Sequence, residues 1–264
     1  MAIRILTPKS EYITDYPVAI EFAKQQAEIF WLPDEIEVEK DLHDLKTNCT
    51  EAEYHGVIST LKLFTLYELN VGNDYWQNYV SVVFPRPDIQ RMAATFSYVE
   101  IGVHAPFYNK INEVLGLDNE EFYNSYKEDE VLSNRMAWIG KRTEKRDTVY
   151  DILKSVGIFS MIEGAILYSS FAFLKHFNSA GKNKLINVNA GINFSAIEET
   201  IHSQAGSRTA CPRLETGKSS VMPWTKPVKI AWKYVMVMRK GYARPRSKPV
   251  NKRVTRMRED APHE

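Results

Sequence analysis

The stretch from Asp147 to Phe177 repeats apolar side chains at helical spacing on most of its faces: Val149, Ile152, Leu153, Val156, Ile158, Phe159, Met161, Ile162, Ile166, Leu167, Phe171 and Phe173. A helix that is apolar nearly all round must be surrounded by other elements, so this run marks a central helix. Glu163 sits in its middle, within Phe159-Ser-Met-Ile-Glu-Gly-Ala-Ile-Leu167. A lone charge in such a run is costly unless it is paired. The fold must therefore supply Glu163 with a partner.

Three further helical segments bury polar side chains in the same way. Thr50-Glu-Ala-Glu53 has the form of a capping box, and the pattern it opens runs to about Val83, where Phe84-Pro85-Arg86-Pro87 stops it. Glu68 lies inside this run, flanked by Leu66, Tyr67 and Leu69. The next helix opens at Pro87-Asp88, reaches about Leu115 and is ended by Gly116. It contains Tyr98-Val-Glu-Ile-Gly-Val-His-Ala-Pro-Phe-Tyr108, in which Glu100, His104 and Tyr108 follow at four-residue steps and share one face. Alone, that trio reads as a satisfied core histidine beside a hydrogen-bonded glutamate. The last segment, Ala190–Gly206, carries Glu199 and His202 three residues apart, again on one face.

The remaining stretches are plainer. Tyr16 to Phe30 fits a helix, Pro33-Asp34-Glu35 suits the start of another, and Trp31 between them reads as core packing. A shorter polar helix is expected over Asn119–Lys127, and exposed helix and loop over 130–146.

Together, the four segments predict an all-α bundle. A Glu from each of two helices, plus a Glu/His pair from each of the other two, is the ligand set of ferritin-like dimetal carboxylate bundles. Carboxylate and imidazole ligands suit two iron or manganese ions and their O₂ chemistry, and the lack of cysteine in the set argues against an iron–sulfur cluster. His43, His55, His176 and His263 have no matching carboxylate and read as surface residues.

Charge divides the chain. Residues 208–264 hold fifteen Lys and Arg against four acids, and six of the twelve prolines. The rest carries nineteen basic and twenty-nine acidic side chains. The expected division is a dimetal domain over 1–206 and an atypical basic, Pro-rich segment over 207–264. Two cysteines, Cys49 and Cys211, make no disulfide framework and point to a reducing cytosol. No apolar run approaches the roughly 20 residues of a membrane span, so no membrane is expected.

At this point the sequence resembles the small, radical-generating beta subunit of class I ribonucleotide reductase, from about Phe30 to Gly206. Phe30-Trp31-Leu-Pro-Asp-Glu is similar to the family's Phe-Trp-x-Pro-Glu-Glu segment. Leu66-Tyr67-Glu68 stands where the family has its first carboxylate, usually Asp. Met161-Ile-Glu163 followed by Phe171 matches the third ligand helix, and Ile197-Glu198-Glu199-Thr-Ile-His202 matches the acid-Glu-x-x-His ending. The resemblance implies that Glu68, Glu100 and His104 take one metal side and Glu163, Glu199 and His202 the other, some glutamates bridging. It implies two iron ions, with manganese or a mixed Mn/Fe pair as alternatives. Tyr108 would be the radical tyrosine, with Leu167 and Phe171 lining its apolar pocket. Trp31 and Glu198 would begin a relay through His104. The implied partners are a large (alpha) subunit, a second copy of the chain and O₂, in the cytoplasm (of a host cell, if viral), with nucleic acid not expected.

Two departures stand out. The family spaces its first pair Glu-x-x-His, whereas here it is Glu100-x-x-x-His104. A one-residue π-bulge would restore the register, and Gly102 and Pro106 both favour one. A regular helix would instead put Ile101 in the ligand position. After Gly206 the helical pattern fades, apart from the apolar run Lys229–Lys240. This reads as a changed reading frame, a truncation, or a segment for anionic surfaces or nucleic acid. Large-subunit docking is then open, and neither Tyr234 nor Tyr242 is assigned to a relay. Other readings are a dimetal oxidase or hydroxylase with its own small substrate, an iron-storage bundle, or a metal-free helical scaffold.

Overall fold

The computed structural model describes residues 4–210, and every regular element among them is helical. In chain order they are α1 (Pro17–Glu28), α2 (residues 51–83), α3 (residues 87–114), α4 (Glu120–Asn124), α5 (Glu130–Gly140), α6 (residues 149–175) and α7 (Ile186–Ala210). The expectations for Cys211, Tyr234, Tyr242, His263 and the basic segment from residue 211 onward lie outside the described residues.

The long helices begin where their caps require. Thr50 accepts from the Glu53 amide while the Glu53 carboxylate accepts from the Thr50 amide, a complete capping box. Pro87 fills the first turn of α3, where its missing N–H costs nothing. The α3 run closes at Gly116, whose φ of 71° only glycine adopts easily. At the start of α7, the Asp44 carboxylate accepts from the Leu185 amide at 2.9 Å and Asp41 from the Val188 amide at 2.7 Å. Acids placed there also suit the positive end of the helix dipole. This is why α7 starts at Ile186, one turn before the Ala190 expected from periodicity.

Four helices make the core. The chain reverses at Phe84, so the early part of α2 packs on the late part of α3, and its residues 70–80 pack on the early part. α6 and α7 pair in the same antiparallel sense, with Ser203 donating to the Ser160 carbonyl at one end and Lys175 bonding Asn193 at the other. α1 lies across α3 and α7 and buries Ala19, Phe22, Ala23 and Gln26. Asp15 fastens the lead into α1. Lys9, then Arg4 and Arg86, converge on it and hold its carboxyl at about 2, below the ordinary 3.8.

Three expectations change. Pro33–Glu35 forms a single 3₁₀ turn, because Ile36 is already extended. The polar helix is shorter, Glu120–Asn124, and passes into a 3₁₀ turn. α5 is not wholly exposed, since Arg135 and Ile139 are buried. In addition, Val149–Asn178 is long and apolar enough by length and composition to cross a membrane. It is the core helix of this bundle, more than half buried by its neighbours and carrying Glu163 at its centre.

Candidate metal centre

Each of the four long helices delivers its acid to one point. Glu68 comes from α2, Glu100 and His104 from α3, Glu163 from α6, and Glu199 and His202 from α7. All six are 0% exposed. Ligand atoms of Glu68, Glu100, His104 and Glu199 lie within 4.8 Å of one another, and so do those of Glu100, Glu163, Glu199 and His202. Glu100 and Glu199 belong to both sets. The structure thus brings together the six residues expected as metal ligands, in two groups that share two carboxylates.

The extra residue between Glu100 and His104 is absorbed locally. Residues Glu100–His104 form a π turn in which the Ala105 amide reaches back to the Glu100 carbonyl. Glu100 therefore faces His104, with Oε2 2.9 Å from Nδ1, while Ile101 turns aside and is only half-buried. Pro106 follows directly and has no amide to continue a regular ladder. Besides a π turn at Asp44–Asn48, outside the four long helices, two more π segments lie at candidate ligands, Asn70–Val80 after Glu68 and Ile162–Ile166 around Glu163. The sequence reading anticipated neither. Gly72 belongs to the first of them. A Cβ on it would lie 2.6 Å from Ile101 Cγ1 and 2.9 Å from Glu100 Cβ, so the glycine lets α2 and α3 close up at the cluster.

Charge balance is the chief problem of this site. Burial raises the Glu68 carboxyl well above the ordinary carboxylate range, and its neighbours Glu100 and Glu199 push it further. Burial raises Glu163 likewise, against the pull of His202. Burial also works against Glu100, but His202 and His104 outweigh it and hold that carboxyl well below its ordinary range. Both imidazoles are raised despite burial, His104 by Glu198 and Glu100, and His202 by Glu100 and Glu199. Even so, both oxygens of Glu68 and of Glu199, and Oε2 of Glu163, lack a hydrogen bond. Buried charges of this kind are paired or coordinate metals. Two divalent cations would balance four carboxylates between two neutral imidazoles, so the donor set fits a dimetal centre.

The groups behind the cluster are also ordered. Trp31 Nε1 donates to Glu198 Oε2 at 2.8 Å, and the same oxygen meets His104 Nε2 at 2.6 Å. Trp31 is 3% exposed and covered by Phe194. Tyr108 is fully buried one helical turn from His104, with ring centroids 6.3 Å apart. Phe64 packs on it at 4.7 Å, and Phe171 packs on Phe64 at 5.2 Å, so Phe171 reaches the phenol through an intervening ring. Leu167 is buried on the same helix as Phe171. Burial, with the Glu68 charge next, raises the Tyr108 phenol well above its ordinary value. Of the histidines read as surface residues, His43 and His55 are exposed and His176 is half-buried.

Two residues at the site escaped the sequence reading. Gln26 joins the outer nitrogens of the cluster: its Nε2 donates to Glu198 Oε1 at 2.7 Å, and its Oε1 lies 3.0 Å from His202 Nε2. The signal for it was present, because Ala19, Phe22, Ala23 and Gln26 form one helical stripe. Trp76 donates from Nε1 to Glu163 Oε1 at 2.9 Å, and its periodicity was hidden by the π segment that holds it.

The family described as "Ribonucleotide reductase, small chain" matches residues 12–217. A probable ribonucleoside-diphosphate reductase small subunit of Invertebrate iridescent virus 6 is 26% identical over 187 residues, covering 66% of this chain and 51% of that protein. The chain spans about half the length of the curated relatives it matches. The crystal structure of a putative class I ribonucleotide reductase from Bacillus halodurans superposes with a TM-score of 0.71 at 21% identity, covering 91% of this chain and 78% of that one. An R2-like ligand-binding oxidase with a reconstituted Mn/Fe cofactor gives a TM-score of 0.65 at 15% identity, covering 86% and 79%. At these identities the superpositions establish the ferritin-like fold alone. Because the family match covers most of the sequence, the chain is a member of the ribonucleotide reductase small-chain family.

Proposed function

We propose that the chain works as the beta subunit of a ribonucleoside-diphosphate reductase and generates a tyrosyl radical on Tyr108. The observation that carries this reading is the pair of overlapping, fully buried donor sets one helical turn from a fully buried tyrosine. Glu68, Glu100, His104 and Glu199 would hold one metal ion, and Glu100, Glu163, Glu199 and His202 the other. With two iron ions bound, or manganese or a mixed Mn/Fe pair, and O₂ supplied, such a centre provides the one-electron oxidant for a nearby phenol.

The chain's own residues do the rest. Tyr108 gives up one electron and its phenolic proton. Glu68 is the cluster carboxylate that acts most strongly on that phenol and is therefore placed to take the proton. Phe64, Phe107 and Phe171 exclude water, and that exclusion lets an oxidised phenol persist. Glu198 fixes His104 through Nε2 and connects it to Trp31, a route for an electron and a proton toward the large subunit. That subunit would use the radical to reduce ribonucleotides to deoxyribonucleotides, and the beta chain alone would reduce none. A homodimer in the cytoplasm completes the reading.

Metal analysis of the purified protein with paramagnetic resonance tests it. The expected result is about two iron or manganese per chain, with a tyrosyl signal that Tyr108→Phe abolishes without loss of metal. Loss of metal binding with an intact fold would leave the scaffold reading. Two metals with no radical, but with a small substrate oxidised, would favour a dimetal oxidase like the structural neighbour that binds Mn/Fe.

A further inference from the structure

One polar side chain in the Tyr108 pocket has no part in the chemistry above. Ser195 lies on α7, one turn before Glu199, and is fully buried. Its hydroxyl makes no hydrogen bond. Several other hydroxyls inside these helices are satisfied locally. Thr60, Thr65, Thr95, Ser160, Thr200 and Thr209 each donate to the carbonyl four residues back. Ser195 does not use this local bond.

The packing of α7 on α3 shows where the hydroxyl points. Gly191, one turn before Ser195, is pressed so closely on Phe107 that a Cβ would lie 2.0 Å from the ring. Glu199, one turn after, meets His104 at 3.2 Å. Ser195 is therefore held opposite the turn between His104 and Tyr108. The Tyr108 hydroxyl is also fully buried and also lacks a hydrogen bond, and Ser195 lies within its hydrogen-bonding reach. The aromatic walls, Phe64 and Phe107, offer it none. Two buried hydroxyls that make no hydrogen bond gain by turning toward each other.

We propose that Ser195 is a positioning residue for Tyr108, pairing with the phenolic oxygen in both of its oxidation states. This rests on the reading of Tyr108 given above. In the resting protein the phenol O–H donates to Ser195 Oγ. On oxidation that O–H bond breaks, the electron leaves to the O₂-derived oxidant, and the proton leaves to a cluster carboxylate. Ser195 then rotates and donates its own O–H to the phenoxyl oxygen. It is neither oxidised nor changed in charge.

A double-mutant cycle in metal-free protein tests the pair without requiring any radical. Ser195→Ala, Tyr108→Phe and the combination are unfolded with denaturant. Paired hydroxyls predict that the single effects on the unfolding constant fail to multiply, with a coupling of roughly 2- to 10-fold. Independent effects overturn the proposal. In metal-loaded protein, transfer to D₂O is expected to narrow the Tyr108 radical signal, and Ser195→Ala to remove that narrowing. An isotope effect that survives Ser195→Ala overturns it as well. A wild-type protein that forms no radical would defeat the proposed function, while the cycle would still decide whether Ser195 holds Tyr108.

Discussion

Gln26 is an uncharged side chain outside the six candidate ligands, yet it fastens the outer edges of His202 and Glu198 together. Partners of this kind fix the orientation of a metal-binding imidazole, and losing one typically lowers metal affinity about 10- to 100-fold. Gln26→Ala should therefore bind metal more weakly by that factor with an unchanged helical spectrum, as measured by competition against a chelator. The cluster also predicts an unusual pH response. His104 and His202 are raised above their ordinary 6.5, and Glu68 and Glu163 above 4.5. A group raised in the folded state adds stability that is full below its unfolded value and is lost as pH rises through its folded value. Metal-free protein should therefore melt at lower temperature as pH is raised above 6.5. Metal binding displaces those protons, so the increase in Tm on adding Mn(II) should grow over the same range. Melting curves with and without chelator check both signs.

Among the elements, the π turns decide the geometry. Of the four helices that supply carboxylates, α2, α3 and α6 each carry a π segment starting within two residues of the acid, and α7 carries none. The one between Glu100 and His104 was legible, because the four-residue spacing, Gly102 and Pro106 all pointed to it. The other two were not. Nothing local in Asn70–Val80 or Ile162–Ile166 forbids a regular helix, so tertiary packing must select the wider turn. The same limit explains the residues that were read and those that were missed. Glu163 announced itself by being a lone charge in an apolar run. Trp76 and Ser195 are ordinary in their own segments and acquire meaning only from a partner on another helix, whereas Gln26 could have been noticed as the polar member of an apolar stripe. Gly72 ties two of the wide turns together. Gly72→Ala should destabilise by about 1–3 kcal/mol through overpacking against Ile101 and Glu100. It should also weaken metal binding; an unchanged denaturation midpoint would show that the helices do not approach so closely.

For the molecule as a whole, every residue assigned to the centre lies before position 203, while the strong positive charge lies after it. A chain ended after residue 217, where the family match stops, is expected to keep its helical content and load metal to the same stoichiometry. Failure to load would place part of the remaining segment in the same folding unit. Within the described bundle, α1, α3 and α7 are joined by a closed circuit. It runs from Glu100 to His104, Glu198, Gln26 and His202 and back to Glu100. An amide has a head and a tail, so this circuit has a direction. With the Gln26 amino group committed to Glu198, its carbonyl must receive the outer N–H of His202, while Glu198 receives the outer N–H of His104. Both rings consequently present Nδ1 inward. When a cation arrives, the proton each imidazole surrenders is the inner one, and no ring has to flip to admit it.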